Sequence, residues 1–204
     1  LAAGMEDSYR EREQLTLYRD EATFVDERTV DVDGELLSAE KVVVAAGSRP
    51  LVPPIDGLDT VDYMTSQEAL YRREQPESLV ILGGGYIAVE LGYFFESLGT
   101  DVKIVEMMDS LVPREDPDVS STFTEIAEQR HEVYTGHRAT AVEAQGDTVT
   151  VHAETEAGDE AAVSGDELLV ALGRRPNTDT LQVDAAGIET DDRGFIVTND
   201  HLET

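Results

Sequence analysis

The part of this sequence best suited to chemistry is a turn. Gly83-Gly84-Gly85-Tyr86-Ile87-Ala88 fits G-x-G-x-x-G/A, and it lies between the apolar run SLVIL and a segment of helical periodicity. In such a pattern the first glycine, Gly83, takes the tight turn, and Gly85 lets backbone approach a pyrophosphate. The helix that opens there offers unpaired N–H groups and the positive end of its dipole, so a phosphate anion is held without a basic side chain. Glu106 closes the next strand about twenty residues further on, where a carboxylate accepts hydrogen bonds from a ribose diol. Strand, glycine turn, helix, strand and acid in that order predict dinucleotide binding. For the turn taken alone, packing is the competing explanation of the glycines.

Charge separates the two nicotinamide dinucleotides. A carboxylate within about 4 Å of a 2′-phosphate costs several kcal/mol at an effective dielectric near 20, so Glu106 favours NAD(H) over NADP(H). Ala88 at the third glycine position points the other way, and Arg114 would soften the preference.

These residues need a framework, and the periodicity supplies one. SLVIL at 78–82 and VKIV at 102–105 read as buried strands, joined by a helix with Ile87, Leu91, Phe94, Phe95 and Leu98 on one face and Gly99 as its stop. This is a βαβ unit of right-handed crossover. A second helix is expected from Asp116-Pro117, with Val119, Phe123, Ile126 and Ala127 inward, and a shorter one from a Thr65 or Ser66 cap. From 138 to 172 the pattern alternates with period two around Gly146-Asp147 and Gly158-Asp159, a β-meander that feeds a core strand ending at Gly173. Before the nucleotide unit, LTLYRD, ATFVD and TVDVDGELL read as short strands with an Asp33-Gly34 turn, and KVVVAAG as a buried strand. The proline-rich RPLVPPIDG marks a domain crossing. The end, GFIVTNDHLET, reads as an extended segment without a cap or turn. The fold class expected is α/β: a Rossmann-like three-layer domain whose parallel sheet has helices on one side and the β-meander on the other.

Composition removes several classes of function. The 204 residues carry 15 Lys+Arg against 44 Asp+Glu, a net charge of −29. A nucleic acid needs clustered cations to displace its counterions, so such a partner is close to excluded. Cysteine is absent, which removes disulfides and thiolate chemistry from these residues. The four histidines show no ligand spacing, and no metal site or catalytic residue is expected. No apolar run reaches the roughly 18 residues of a membrane span, and the start lacks a signal peptide's apolar run, so a soluble, cytoplasmic protein is expected. Only Lys41 and Lys103 are lysines. The charge reads as adaptation to a salt-saturated cytoplasm, where screening makes it tolerable.

Four segments in order resemble the class I flavin-dependent pyridine nucleotide-disulfide oxidoreductases. VVVAAGSRPLVPPIDG is similar to that family's flavin-domain strand and crossover, with Ala46 where threonine is usual. MTSQEAL resembles the segment leading into the nucleotide domain, GGGYIAVELG its nucleotide turn, and VALGRRPNT the return to the flavin domain. The resemblance implies a division into 1–60, the end of a first FAD-domain segment; 61–174, the NAD(P)-binding domain; and 175–204, the start of the returning FAD-domain segment.

It also implies roles. Gly83, Gly85 and Ile87 would line the pyrophosphate and Glu106 would hold the adenosine ribose. Tyr86 would cover the flavin face, Glu90 would sit near the nicotinamide carboxamide, and Ala171, Gly173 and Arg174 would lie along the nucleotide. Packing, a favourable helix position and solvation are the plainer explanations for Tyr86, Glu90 and Arg174 respectively. The family's flavin glycine turn, redox cysteine pair and catalytic His-Glu pair are not in these residues. The chain is therefore expected to be the middle portion of a parent that holds FAD and pairs as a homodimer through a further domain. That parent would exchange a hydride with NADH and act on a small dithiol or disulfide, as in dihydrolipoamide oxidation, while this portion alone would be inactive. NADPH-dependent mercuric or thiol-disulfide reductases, disulfide-free flavin reductases and a non-catalytic NAD-binding module are the alternatives.

Overall fold

The structure, a computed structural model, describes residues 2–204. The chain forms two compact units, one of residues up to Arg49 together with Arg175–Thr204, the other of Pro50–Arg174. Among the described residues no helix is long and apolar enough to cross a membrane.

The smaller unit opens with helix α1 (Ala2–Arg10) and an antiparallel meander of β1 (Ala22–Asp26), β2 (Thr29–Val32) and β3 (Glu35–Ser38). The turn between β2 and β3 needs left-handed backbone at both central positions, and Asp33 and Gly34 supply it with φ of 52° and 86°. Phe24 and Val32 are buried, and Phe24 N–H donates to Leu181 O at 2.8 Å. Further on, Arg49 forks onto the Asp179 carboxylate, and its Nη1 also reaches Asn177 Oδ1 at 2.8 Å.

Three expectations fail in this unit. Residues 15–19 and 41–47 form no strand, because no described strand pairs with either, and Val43 is 88% exposed. Apolar alternation marks residues that suit a sheet, but a ladder needs a partner. The tail is not simply extended: Thr190 bridges Ile196, and a turn follows in which Asn199 Oδ1 accepts the N–H groups of His201 and Glu203.

Strand β4 (Ser48–Pro50) runs across the unit boundary at Arg49, and in the larger unit α2 (Ser66–Tyr71) follows. Thr65 and Glu68 form a reciprocal capping box there, with Thr65 N–H donating to Glu68 Oε2 at 2.8 Å. The nucleotide-type core then runs β5 (Ser78–Leu82), α3 (Tyr86–Ser97), β6 (Asp101–Val105), α4 (Pro117–Ala127) and β7 (Glu132–Tyr134). It continues through the meander β8 (Arg138–Gln145), β9 (Thr148–Glu154) and β10 (Glu160–Gly165) to β11 (Glu167–Val170), and β12 (Arg174–Pro176) runs across the unit boundary that follows Arg174.

The parallel sheet has the order β11-β5-β6-β7, and side-chain alternation along it builds two cores. Leu79, Ile81, Val102, Ile104 and Leu169 face Ala88, Leu91 and Phe95 of α3 and Ala127 of α4. Val80, Leu82, Val105, Leu168 and Val170 face Val142, Val149, Val151 and Val163 of the antiparallel meander. Helices therefore cover one face and the β-meander the other, which is the three-layer α/β arrangement expected.

The helices bury different stripes from those their apolar periodicity predicts. In α3 the inward face is Ala88, Leu91, Gly92 and Phe95, while Phe94 and Leu98 are exposed. Small residues win because Gly92 lies close on the sheet, where a Cβ would sit 3.3 Å from Ile81 Cδ1. In α4 the buried residues are Ser120, Thr124 and Ala127, and Val119, Phe123 and Ile126 face outward. The two buried hydroxyls satisfy backbone groups of the preceding loop, a demand that hydropathy does not encode.

Candidate nucleotide-binding site

The strand order reverses direction at β5. From β5 the chain steps through β6 to β7 on one side, and β11 returns to the other. In open α/β sheets ligands bind outside the carboxyl ends of the strands at such a switch point, and here both β5 and β11 carry site candidates.

Gly83 follows β5 with φ of 107°, and its N–H donates to Val105 O at 2.8 Å. A Cβ there would sit 2.5 Å from Ala171 O, so only glycine lets the turn pass the end of β11. Ala171 in turn donates to Leu82 O at 2.8 Å, which locks the two strand ends together. Gly173 has φ of 121° and its Cα faces open space. Its carbonyl accepts Leu51 N–H at 2.9 Å. Arg174, half-buried, ends the larger unit.

Gly85 is the N-cap of α3, without a side-chain cap hydrogen bond, and nothing lies within 4 Å of a Cβ built on it. The turn is thus open at Gly85 and closed at its neighbours. An open, side-chain-free N-cap ahead of a twelve-residue helix fits a diphosphate. Ile87 is half-buried against the helix-side core and Ala88 is fully buried at the third glycine position. Tyr86, 59% exposed, and Glu90, also exposed, stand one helical turn apart on the surface.

Glu106 is the buried acid, 7% exposed at the end of β6. Its Oε2 accepts the N–H of Gly84, and its Oε1 accepts Met108 N–H at 2.8 Å. Both donors are backbone N–H groups, and the carboxylate oxygens keep spare lone pairs for a further donor. The structure therefore brings Gly83, Gly85, Ile87, Glu106 and Ala171 to the carboxyl end of the sheet, while Tyr86 and Glu90 lie on the outer surface of α3.

Residues outside the predicted set complete the site. A Cβ on Gly84 would meet Leu111 Cδ2 at 2.6 Å and Glu106 Cγ at 2.9 Å, so the middle glycine is fixed by packing. Val112 N–H donates to Gly84 O at 2.7 Å. The spacing of the motif leaves its middle position unspecified, and only the return of the loop after β6 reveals why glycine stands there. Among the histidines, His131 is half-buried, and its buried Nδ1 has no hydrogen-bond partner among the described residues. Burial pushes its pKa below the usual histidine value.

A glycine turn at the switch point of a parallel sheet, with an acid at the end of the next strand, is the arrangement that dinucleotide-binding α/β domains use. The sequence model of the pyridine nucleotide-disulphide oxidoreductases matches residues 3–204, and the chain belongs to that family. It is 39% identical over 189 residues to a mercuric reductase of Staphylococcus aureus, which covers 92% of this chain and 34% of the relative. It is 37% identical over 200 residues to a dihydrolipoyl dehydrogenase of Haloferax volcanii, covering 93% of this chain and 42% of the relative. Among solved structures, the flavoprotein disulfide reductase RclA of Escherichia coli, induced by hypochlorous acid, superposes with a TM-score of 0.83 at 30% identity. That superposition covers 97% of this chain and 45% of the other. The chain thus spans less than half the length of these relatives.

Proposed function

We propose that this chain is the NAD(H)-binding portion of a flavin-dependent oxidoreductase, most like dihydrolipoamide dehydrogenase. One observation carries the reading: the turn is open only at Gly85, with the buried Glu106 carboxyl group accepting the adjacent Gly84 N–H. Gly83, Gly85 and Ile87 would hold the diphosphate, Glu106 the ribose diol, and Ala171, Gly173 and Arg174 the path of the nucleotide beyond it. Tyr86 and Glu90 would meet the nicotinamide end.

The nicotinamide, once bound, supplies the hydride chemistry. What this chain contributes is position: the α3 N-terminus neutralises the diphosphate, and Glu106 fixes the ribose. The chain carries one glycine turn of this kind, so its own residues fit one dinucleotide, and FAD would be held by other parts of the parent. That parent would be a homodimer working in a salt-rich cytoplasm on a small dithiol or disulfide, and this portion alone would not turn over.

A second reading has support of its own. The relative at 39% identity is a mercuric reductase, so an NADPH-dependent mercuric or thiol-disulfide reductase is the alternative. Calorimetric titration of the chain with NADH and with NADPH in multimolar KCl separates them. Tighter NADH binding that Glu106→Ala abolishes supports the first. Tighter NADPH binding shows that Glu106 does not meet the ribose and favours the second.

A further inference from the structure

Val112 adopts left-handed backbone, with φ of 45°, a conformation that a β-branched residue rarely takes. Three hydrogen bonds hold it there. Ser120 Oγ–H donates to Val112 O at 2.8 Å, Glu115 N–H donates to the same carbonyl at 3.0 Å, and Val112 N–H donates to Gly84 O at 2.7 Å. The preceding residue is held from the same helix, since Thr124 Oγ1 accepts Leu111 N–H at 2.9 Å. Leu111, wholly buried, packs its side chain on Gly84.

Helix α4 gives up apolar burial for this arrangement. Ser120 and Thr124 are 5% and 8% exposed, whereas Val119 and Ile126 are about half exposed. A helix rotated to bury its apolar stripe would leave the carbonyl of Val112 and the N–H of Leu111 without these partners. Gly84 is consequently held through the peptide on either side of it, its N–H by Glu106 and its carbonyl by Val112.

We propose that Ser120 and Val112 are positioning residues for the nucleotide-binding turn: the buried Ser120 hydroxyl holds Val112 left-handed, and Val112 N–H then fixes the Gly84 carbonyl. This rests on the nucleotide reading given above. With Gly84 immobilised, the turn presents the N–H groups of Gly85 and the start of α3 without reorganising, and preorganisation of that kind is gained as affinity.

The test combines NADH titration of the 204-residue chain with amide exchange of the ligand-free protein, for wild type, Ser120→Ala, Val112→Gly and the double variant. Ser120→Ala is expected to raise Kd about three- to tenfold, the value of one hydrogen bond, and to expose the Val112 amide to exchange. Glycine takes positive φ without strain and keeps the N–H that bonds Gly84 O, so Val112→Gly is the reference against which the added effect of Ser120→Ala is read. The double variant should recover most of the lost affinity and the protection of amide 112, although its melting temperature falls further. A merely structural Ser120 gives the opposite pattern: affinity tracks melting temperature, and the double variant is the weakest binder. Failure of Val112→Gly to restore affinity overturns the proposal, as does an unchanged Kd and a protected amide in Ser120→Ala. A wild-type chain that binds neither NADH nor NADPH removes the nucleotide reading instead. Amide exchange then still decides whether Ser120 holds the Val112–Gly84 bond.

Discussion

The Glu106 carboxylate accepts the N–H of Gly84, so the acid at the end of β6 and the middle glycine of the turn are one unit. Neighbouring glycines consequently do different work, and alanine scanning separates them. Gly84→Ala forces a Cβ to within 2.6 Å of Leu111 and 2.9 Å of Glu106, an overpacking that costs about 1–3 kcal/mol of stability. Gly85→Ala meets nothing within 4 Å and keeps an extended φ of −76° that alanine tolerates. Its stability should stay within about 0.5 kcal/mol of wild type, as for ordinary surface changes, while NADH affinity falls because the methyl occupies the ligand's side of the turn. Chemical denaturation beside titration reads both, and equal loss of stability in the two variants would contradict the assignment.

Replacing Glu106 by glutamine should damage the site rather than switch its nucleotide. Both carboxylate oxygens accept backbone N–H groups, from Gly84 and from Met108. Glutamine offers one acceptor, so its NH2 group must face one of these donors in a buried site. An unsatisfied buried donor costs about 1–3 kcal/mol, and NADH and NADPH affinity should fall together. A stable Glu106→Gln variant with raised NADPH affinity would show that the carboxylate is not needed by the turn.

Much of this was legible in the sequence because the determinants are local. SLVIL, the glycines and VKIV specify strand, turn and strand within thirty residues, and period-two alternation from Arg138 onward marks the meander. The face of α4 was not legible. Its apolar residues share one stripe, but the loop ahead of it needs hydroxyls at Ser120 and Thr124, and that need exists only once Leu111 and Val112 are in place. The segment 41–47 misled for a related reason, since strand character is not strand pairing. Glu106 was found from its spacing, whereas Gly84, Leu111 and Val112 were missed because no short-range signal marks them.

His131 should make the fold sensitive to mild acid. Burial lowers its pKa, and Arg130 lowers it further, against the opposing effects of Glu96 and Asp101. A base whose pKa is depressed on folding is protonated first in the unfolded chain, which then binds more protons. Stability is therefore complete above the usual histidine pKa near 6.5 and falls as pH drops from there toward the lowered value. Denaturation midpoints between pH 7.5 and about 5 should show this slope, and His131→Asn should flatten it. An unchanged slope in that variant would place the sensitivity elsewhere.

Salt should stabilise the chain, and the shape of the dependence tells why. A net charge of −29 on 204 residues repels itself in the compact state more than in the expanded one. Added KCl shortens the Debye length from about 10 Å at 0.1 M to about 3 Å at 1 M, below the spacing of most surface charges. If repulsion is the dominant effect, the melting temperature rises steeply to about 1 M KCl and then levels. A rise that continues in proportion to concentration would instead reflect exclusion of salt from apolar surface, which strengthens burial without regard to charge. The ion pairs present do not reverse the sign: Arg138–Glu154 and Arg175–Asp179 are exposed, and such pairs contribute at most about 1 kcal/mol each, so their screening costs little. A melting temperature independent of KCl would remove the reading of the acidic surface as an adaptation to salt.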